Sequence, residues 1–168
     1  VSVNIGRIAA DHIVLGQSVL GEVVEGSAQA SLSLIGGEGQ ISIALDRRDD
    51  GPDGSFSLDA SYANATGELV VSLDAREEAG GIAARLLSVP GAPSTGLTIK
   101  GRGPLDGFDA AVALTTDGQP RLTGQVAIIG KADGQRDFSA NLKGDLAPVF
   151  WPEYREFLGN SLDLSAKG

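Results

Sequence analysis

From Ala28 onward, apolar and polar residues alternate with a period of two, and no other feature constrains the fold as much. Ala28, Ala30, Leu32 and Leu34 fall on one side, with Ser27, Gln29, Ser31 and Ser33 on the other. After a Gly36-Gly37-Glu38-Gly39 turn, Ile41, Ile43 and Leu45 resume the pattern. Successive side chains of a strand point to opposite faces, so each such run predicts a strand with one apolar face. Phe56, Leu58, Ala60 and Tyr62 repeat it, followed by Leu69, Val71 and Leu73 beyond a turn at 64–67. Strand starts recur roughly every 12 to 14 residues, the spacing of a long antiparallel meander.

The later half keeps the same rhythm. Leu97 and Ile99 lead into a turn read over 101–107, then Phe108, Ala110, Val112 and Leu114 alternate. Thr116-Asp117-Gly118-Gln119 has hairpin-turn chemistry, and Leu122, Gly124, Val126 and Ile128 follow, then Phe138, Ala140 and Leu142. Val1, Val3 and Ile5 open in mid-strand, whereas residues 12–25 are apolar without a clean period. The stretch 47–54 (RRDDGPDG) is a loop by composition.

Two segments break the alternation. Over 81–89, Ile82, Ala83, Leu86, Leu87 and Val89 approach helical spacing before Pro90, predicting a short helix. Such a helix has barely two turns and must lean on the sheet to persist. The second is 147–158, where Trp151, Tyr154, Phe157 and Leu158 sit at helical spacing between Pro152 and Gly159. The expected architecture is all-β: one extended antiparallel meander curled into a trough, a single segment over 1–168 with these two helical insertions.

Composition narrows the function. Thirteen basic and 22 acidic residues give a net charge of −9, which argues against nucleic acid and anionic lipid surfaces as partners. The chain has no Cys, which removes disulfides and thiolate metal sites, and 5% aromatic residues, so its apolar faces are aliphatic. It has no Met, including at position 1, and no apolar run near the roughly 20 residues that span a bilayer. The expectation is a segment of a longer protein, with any anchor or export signal elsewhere.

Residues that could carry chemistry are few. His12 is the single His, so neither a catalytic base nor a metal site is expected there. Asp49, Asp50 and Asp53 lack calcium-loop spacing, with Pro52 intruding, and read as a solvated turn. Gly101-x-Gly103 opens no helix and so cradles no phosphate. The Trp151, Tyr154 and Phe157 stripe reads as a core plug. No catalytic residue, metal or cofactor is expected. The aliphatic face remains: Leu32, Leu34, Ile41, Ile43, Leu58, Leu69, Val71, Leu73, Val112, Leu114, Val126 and Ile128. Those residues suit a self-filled core and an open groove alike.

Two blocks carry a likeness. GGIAARLLSVPGAPSTGLTIKGRGPLDGFDAAVALTTDGQPRLTGQVAI and GDLAPVFWPEYREFLGNSLDL resemble the interior of the TamB family, within the AsmA-like group and of alphaproteobacterial type. The likeness extends over about residues 36–165. It implies an internal segment of a protein anchored in the inner membrane and bridging the periplasm. It further implies a hydrophobic β-taco trough, the outer-membrane barrel TamA as partner of the full-length protein, and roles in outer-membrane protein assembly and phospholipid transfer. It implies no catalytic residues.

On that footing the twelve aliphatic residues are groove candidates for phospholipid acyl chains, and Ile82, Leu86 and Leu87 are expected to turn inward from the first helix and plug the groove. The alternative is a structural β-scaffold or stalk of an exported protein with a closed core. An enzyme on a β-solenoid is a third reading, and it needs convergent carboxylates that the sequence does not offer. A sheet with open edges is also expected to associate end to end.

Overall fold

The structure is a computed structural model that describes residues 2–131, 134–153 and 161–167. Its ten strands are β1 (Val3–Leu15), β2 (Val24–Ile35), β3 (Glu38–Arg47), β4 (Gly54–Ala63), β5 (Glu68–Glu77), β6 (Thr95–Pro104), β7 (Gly107–Thr116), β8 (Gln119–Gly130), β9 (Arg136–Gly144) and β10 (Leu162–Lys167). They form one antiparallel sheet in sequence order, with β1 and β10 as its two edges. The sheet is not closed. Nine spacings of about 4.8 Å make it roughly 43 Å long across the strands.

Register follows the period-two pattern. One row of paired residues runs from Ile5 through Leu32, Ile41, Ala60 and Val71. It continues through Gly101, Ala110, Val126 and Ala140 to Ala166. The neighbouring row on the opposite face reads Ser31, Ser42, Asp59, Ser72 and Lys100. A one-residue slip would exchange these faces, so the alternation itself fixes the register.

The irregular apolar pattern of β1 has a physical cause. Its pairing with β2 shifts register between Ile5 and Ile8 and again between Ala10 and Ile13. Each shift inserts an extra residue, as a β-bulge does, so residues three apart point to the same side. Val3, Ile5, Ile8, Ala10, Ile13 and Leu15 thereby all reach the apolar face opposite apolar or small partners in β2, Leu34 and Val24 among them.

The turn expected over 101–107 is shorter, because β6 continues to Pro104. Gly101 stays in the strand beneath an aromatic ring: a Cβ there would meet Phe108 Cζ at 2.3 Å. The glycines leave room for Phe108 and mark close backbone approach rather than a turn.

The two short helices expected at 81–89 and 147–158 are not borne out. The first shrinks to a single helical turn, Ile82–Leu86. Gly80 before it and Ser88, Gly91 and Ala92 after it all have positive φ, which bends the chain back instead of extending the helix. The second begins as a 3-10 turn, Ala147–Val149, and Phe150 is already extended at φ −110 and ψ 157. Pro152 disfavours helical backbone at Trp151; Tyr154, Phe157 and Leu158 lie outside the described residues. A further helical turn, Gln17–Leu20, joins β1 to β2.

Connections are sorted by rim. Two-residue turns at 36–37 and 105–106 and a four-residue turn at 64–67 lie at one end of the strands. The connections at 16–23, 48–53 and 78–94, and the 3-10 turn Ala147–Val149 after β9, all lie at the other. Every helical turn of the described residues therefore crowds a single rim.

Candidate functional site

No second layer of described residues covers the apolar face. Among the described residues, the buried apolar side chains are Val24, Ala84, Val89, Ala110, Ala140 and Ala147, none larger than valine. Nine of the twelve aliphatic groove candidates are half-buried, and Leu32 (38% exposed), Leu34 (37%) and Ile128 (37%) are more open, as is Leu45 at 43%. Stable domains bury an apolar sheet face against another layer. An apolar face left half-open along its length is the kind of surface that meets something apolar.

All twelve groove candidates lie on this face. Leu32, Ile41, Val71 and Val126 share the central row. Ile43, Leu58, Leu73 and Val112 share the next, with Ile99 between the last two. Leu114 pairs with Leu97 and Leu122 nearer the crowded rim. Toward the hairpin rim, Leu34 pairs with Gly39, Leu69 pairs with Tyr62, and Ile128 sits between Phe108 and Phe138. Leu97, Ile99, Leu122 and Leu142 belong to the face as well, and their parity in the alternation was the signal for them.

The connection at 78–94 forms a strap at the crowded rim. Gly80 N–H donates to the Ala92 carbonyl at 2.7 Å and closes its base. Within that loop Ala84 (fully buried) and Val89 form a small core of their own. The expected inward stripe is thus redistributed: Ile82 is half-buried, whereas Leu86 is 61% and Leu87 76% exposed. Ile82, Ala83 and Leu87 nevertheless line a cleft of about 440 Å³, together with Leu45, Phe56, Leu97 and Leu114 of the apolar face.

Charged groups hold this rim together. The Glu77 carboxylate accepts from the N–H groups of Ile82 at 2.5 Å and Ala83 at 2.7 Å, satisfying amides that a helix start leaves orphaned. Arg85 donates to both carboxylate oxygens of Glu22, through Nη1 at 2.8 Å and through Nη2. Arg47, with its side chain only 7% exposed, donates from Nε to Asp49 at 2.7 Å and from Nη2 to Glu22 at 3.4 Å. Its Nη1 is buried without a partner. Asp49 also accepts from Glu25 N–H at 2.8 Å and Gly51 N–H at 2.7 Å.

The cluster shifts its acids in one direction. The Arg85 hydrogen bond holds the Glu22 carboxyl below the usual carboxylate range, against the opposing effect of burial. The Glu25 amide, aided by Arg47 and the Gly51 amide, does the same for Asp49. Glu22 in turn raises the Arg85 guanidinium. Nothing in the local sequence announced this cluster, because Glu22, Asp49 and Arg85 come from three separate connections and meet Arg47 at the end of β3.

The other candidates remain scattered. The His12 side chain is 65% exposed, with Nδ1 3.9 Å from Glu25 Oε2. Among the described residues no group of three or more acidic or His side chains is arranged to hold a metal ion. Phe150 and Trp151 are 40% and 50% exposed. A shallower depression of about 750 Å³ lies on the polar face, where Arg48 and Arg76 alternate with Asp53 and Glu78 and no single ligand charge is favoured. Compared with family models, curated proteins and solved structures, the chain matches none.

Proposed function

We propose that this chain is a non-enzymatic segment of a TamB-like periplasmic protein, anchored elsewhere in the inner membrane, whose apolar sheet face carries phospholipid acyl chains. In this reading the open sheet curls into a β-taco-like trough. The full-length protein would work with the TamA barrel in outer-membrane protein assembly. The observation that carries the reading is the apolar face itself, mainly aliphatic, about 43 Å long and without a covering layer among the described residues.

Glycines support the curl. A Cβ on Gly124 would meet the Asn141 carbonyl oxygen at 2.0 Å, and one on Gly144 the Arg121 oxygen at 1.9 Å. Backbones this close, with glycine on adjacent strands, are what a sharply coiled sheet needs. Dimensions agree with the cargo. An acyl chain of about 15 Å, half a bilayer core, spans about three strands. Each buried methylene contributes about 0.8 kcal/mol, so a chain is held without any specific polar contact.

The test is native mass spectrometry of the chain purified without delipidation, paired with uptake of 1-N-phenylnaphthylamine. The reading expects bound phospholipid and strong probe fluorescence. A lipid-free protein that takes up no probe would overturn it and favour a structural scaffold whose face is covered by another protein layer.

A further inference from the structure

We infer that the cleft under the 78–94 strap is a discrete end-site for one hydrocarbon chain, roofed by Ile82, Ala83 and Leu87 and latched by the Glu22–Arg85 pair. The inference rests on the reading of the face as a lipid surface and adds a fixed position and orientation to it.

Size and chemistry select the occupant. One turn of helix 10 Å across and 5.4 Å long fills roughly 400 Å³, so a cleft of about 440 Å³ takes no more of a partner helix than that. A partner strand fits no better. The floor runs from β1 to β7, and from β2 to β6 its backbone groups are already laddered to a neighbour on each side. Peptide groups entering there would be desolvated without partners. A hydrocarbon chain has no such groups, and it is thin and flexible enough to enter beneath a strap.

Charge orients it. The cleft is lined by Glu25, Asp46 and Glu77 against Arg47 and Arg76, and Glu22, Asp49 and Arg85 join them at the latch, five carboxylates against three guanidiniums. Arg47 and Arg85 are already engaged with Glu22 and Asp49. An anionic head is repelled from this rim and lies toward the hairpin turns, leaving the methyl end under the strap. Ten residues of strand span about 34 Å, and a 15 Å chain fits between the rims with its head clear of the acidic one.

The strap is also the right kind of roof. Four of its residues, Gly80, Ser88, Gly91 and Ala92, sit at positive φ, two of them without glycine's freedom. That conformation persists only where surrounding contacts hold it. Those contacts are the Glu77 carboxylate on the helical turn, the Glu22–Arg85 pair, and Glu78 N–H on the Asp53 carbonyl at 2.8 Å.

The experiment uses palmitic acid carrying a photoreactive diazirine either at its methyl end or near its carboxyl, with the labelled residues mapped by mass spectrometry. The methyl-end probe is expected to label the strap and its floor at Phe56 and Leu97, and the carboxyl-end probe the rows nearer the hairpin rim. Ala83→Trp fills the cleft, and Leu87→Asp puts a charge at its exposed mouth without touching the sheet. Each is expected to cut methyl-end labelling of Phe56 and Leu97 about tenfold while labelling at Val71 and Val126 persists. Labelling spread evenly over the face, or unchanged in both variants, overturns the end-site and leaves the lipid surface standing. No labelling anywhere overturns both.

Discussion

Glu22 and Arg85 stand 63 residues apart in the chain and meet through two hydrogen bonds, tying the connection after β1 to the strap after β5. The pair is partly solvent-exposed, with Arg85 44% open, and exposed pairs add little to global stability. Its effect is local. Arg85→Ala is expected to raise amide exchange severalfold over residues 82–92 while lowering Tm by no more than about 2 °C. Loss of protection spread evenly over the sheet would show that the pair holds the whole fold.

Acid is expected to loosen the same rim. The folded-state pKa values of Glu22 and Asp49 are depressed, so the stability they contribute is fully present above the ordinary carboxylate range. It is lost as pH falls through their folded values. The raised Arg85 value works in the opposite sense and is lost only in strong alkali, beyond any physiological range. Protection of the strap amides, measured against the intrinsic exchange rate at each pH, should therefore stay flat across neutral pH and fall on acidification below the carboxylate range. Glu22→Gln should remove part of that acid response. A strap whose exchange follows the same pH course in the variant would refute the assignment.

Glycines whose Cβ would press on the neighbouring strand offer a stability test. A Cβ at Gly144 would press on the Arg121 carbonyl at 1.9 Å, a backbone atom that cannot rotate away. Gly144→Ala should cost about 1–3 kcal/mol by overpacking, seen as a drop in Tm of roughly 3–10 °C. Gly6→Ala is the control, because nothing lies within 4 Å of its Cβ and its φ is not in the left-handed region. That variant should be neutral. Equal effects from the two would show that the backbone is not closely approached at Gly144.

These relationships also show why the sheet was legible in the sequence and the rim was not. Ile41, Leu58, Val71 and Val126 could be assigned to one face because a strand's side-chain period is two and needs no distant partner. Where β1 hid the period, the cause was two bulges, visible only once Ile8 paired with Ala30 and Ile13 with Gly26. The strap misled for a different reason. Ile82, Leu86 and Leu87 have helical spacing, but Gly80 and Ser88 confine the helix to one turn, and Ala84 and Val89 take the buried places. The Arg47 cluster had no local signature, since Glu22, Asp49 and Arg85 are brought together only by the antiparallel order of the strands.

The most direct test of the face is a charge placed in its middle. Leu73 is half-buried between Leu58 and Ile99, with no layer of described residues above it. Leu73→Asp forfeits about half of a leucine's burial, roughly 1–2 kcal/mol, and the carboxylate remains in reach of water. The variant should fold, with unchanged far-UV circular dichroism, but bind severalfold less 1-N-phenylnaphthylamine and phospholipid. Leu69→Asp should behave alike, and on the proposed TamB-like reading either substitution should block transfer in the full-length protein. Gln125→Asp on the opposite face, between Ala111 and Asn141, is the matched control and should change neither property. In a closed core the same aspartate would be desolvated and the fold lost. A Leu73→Asp chain that unfolds would therefore place this face inside a packed interface, and one that folds and binds probe normally would remove the face as the lipid route.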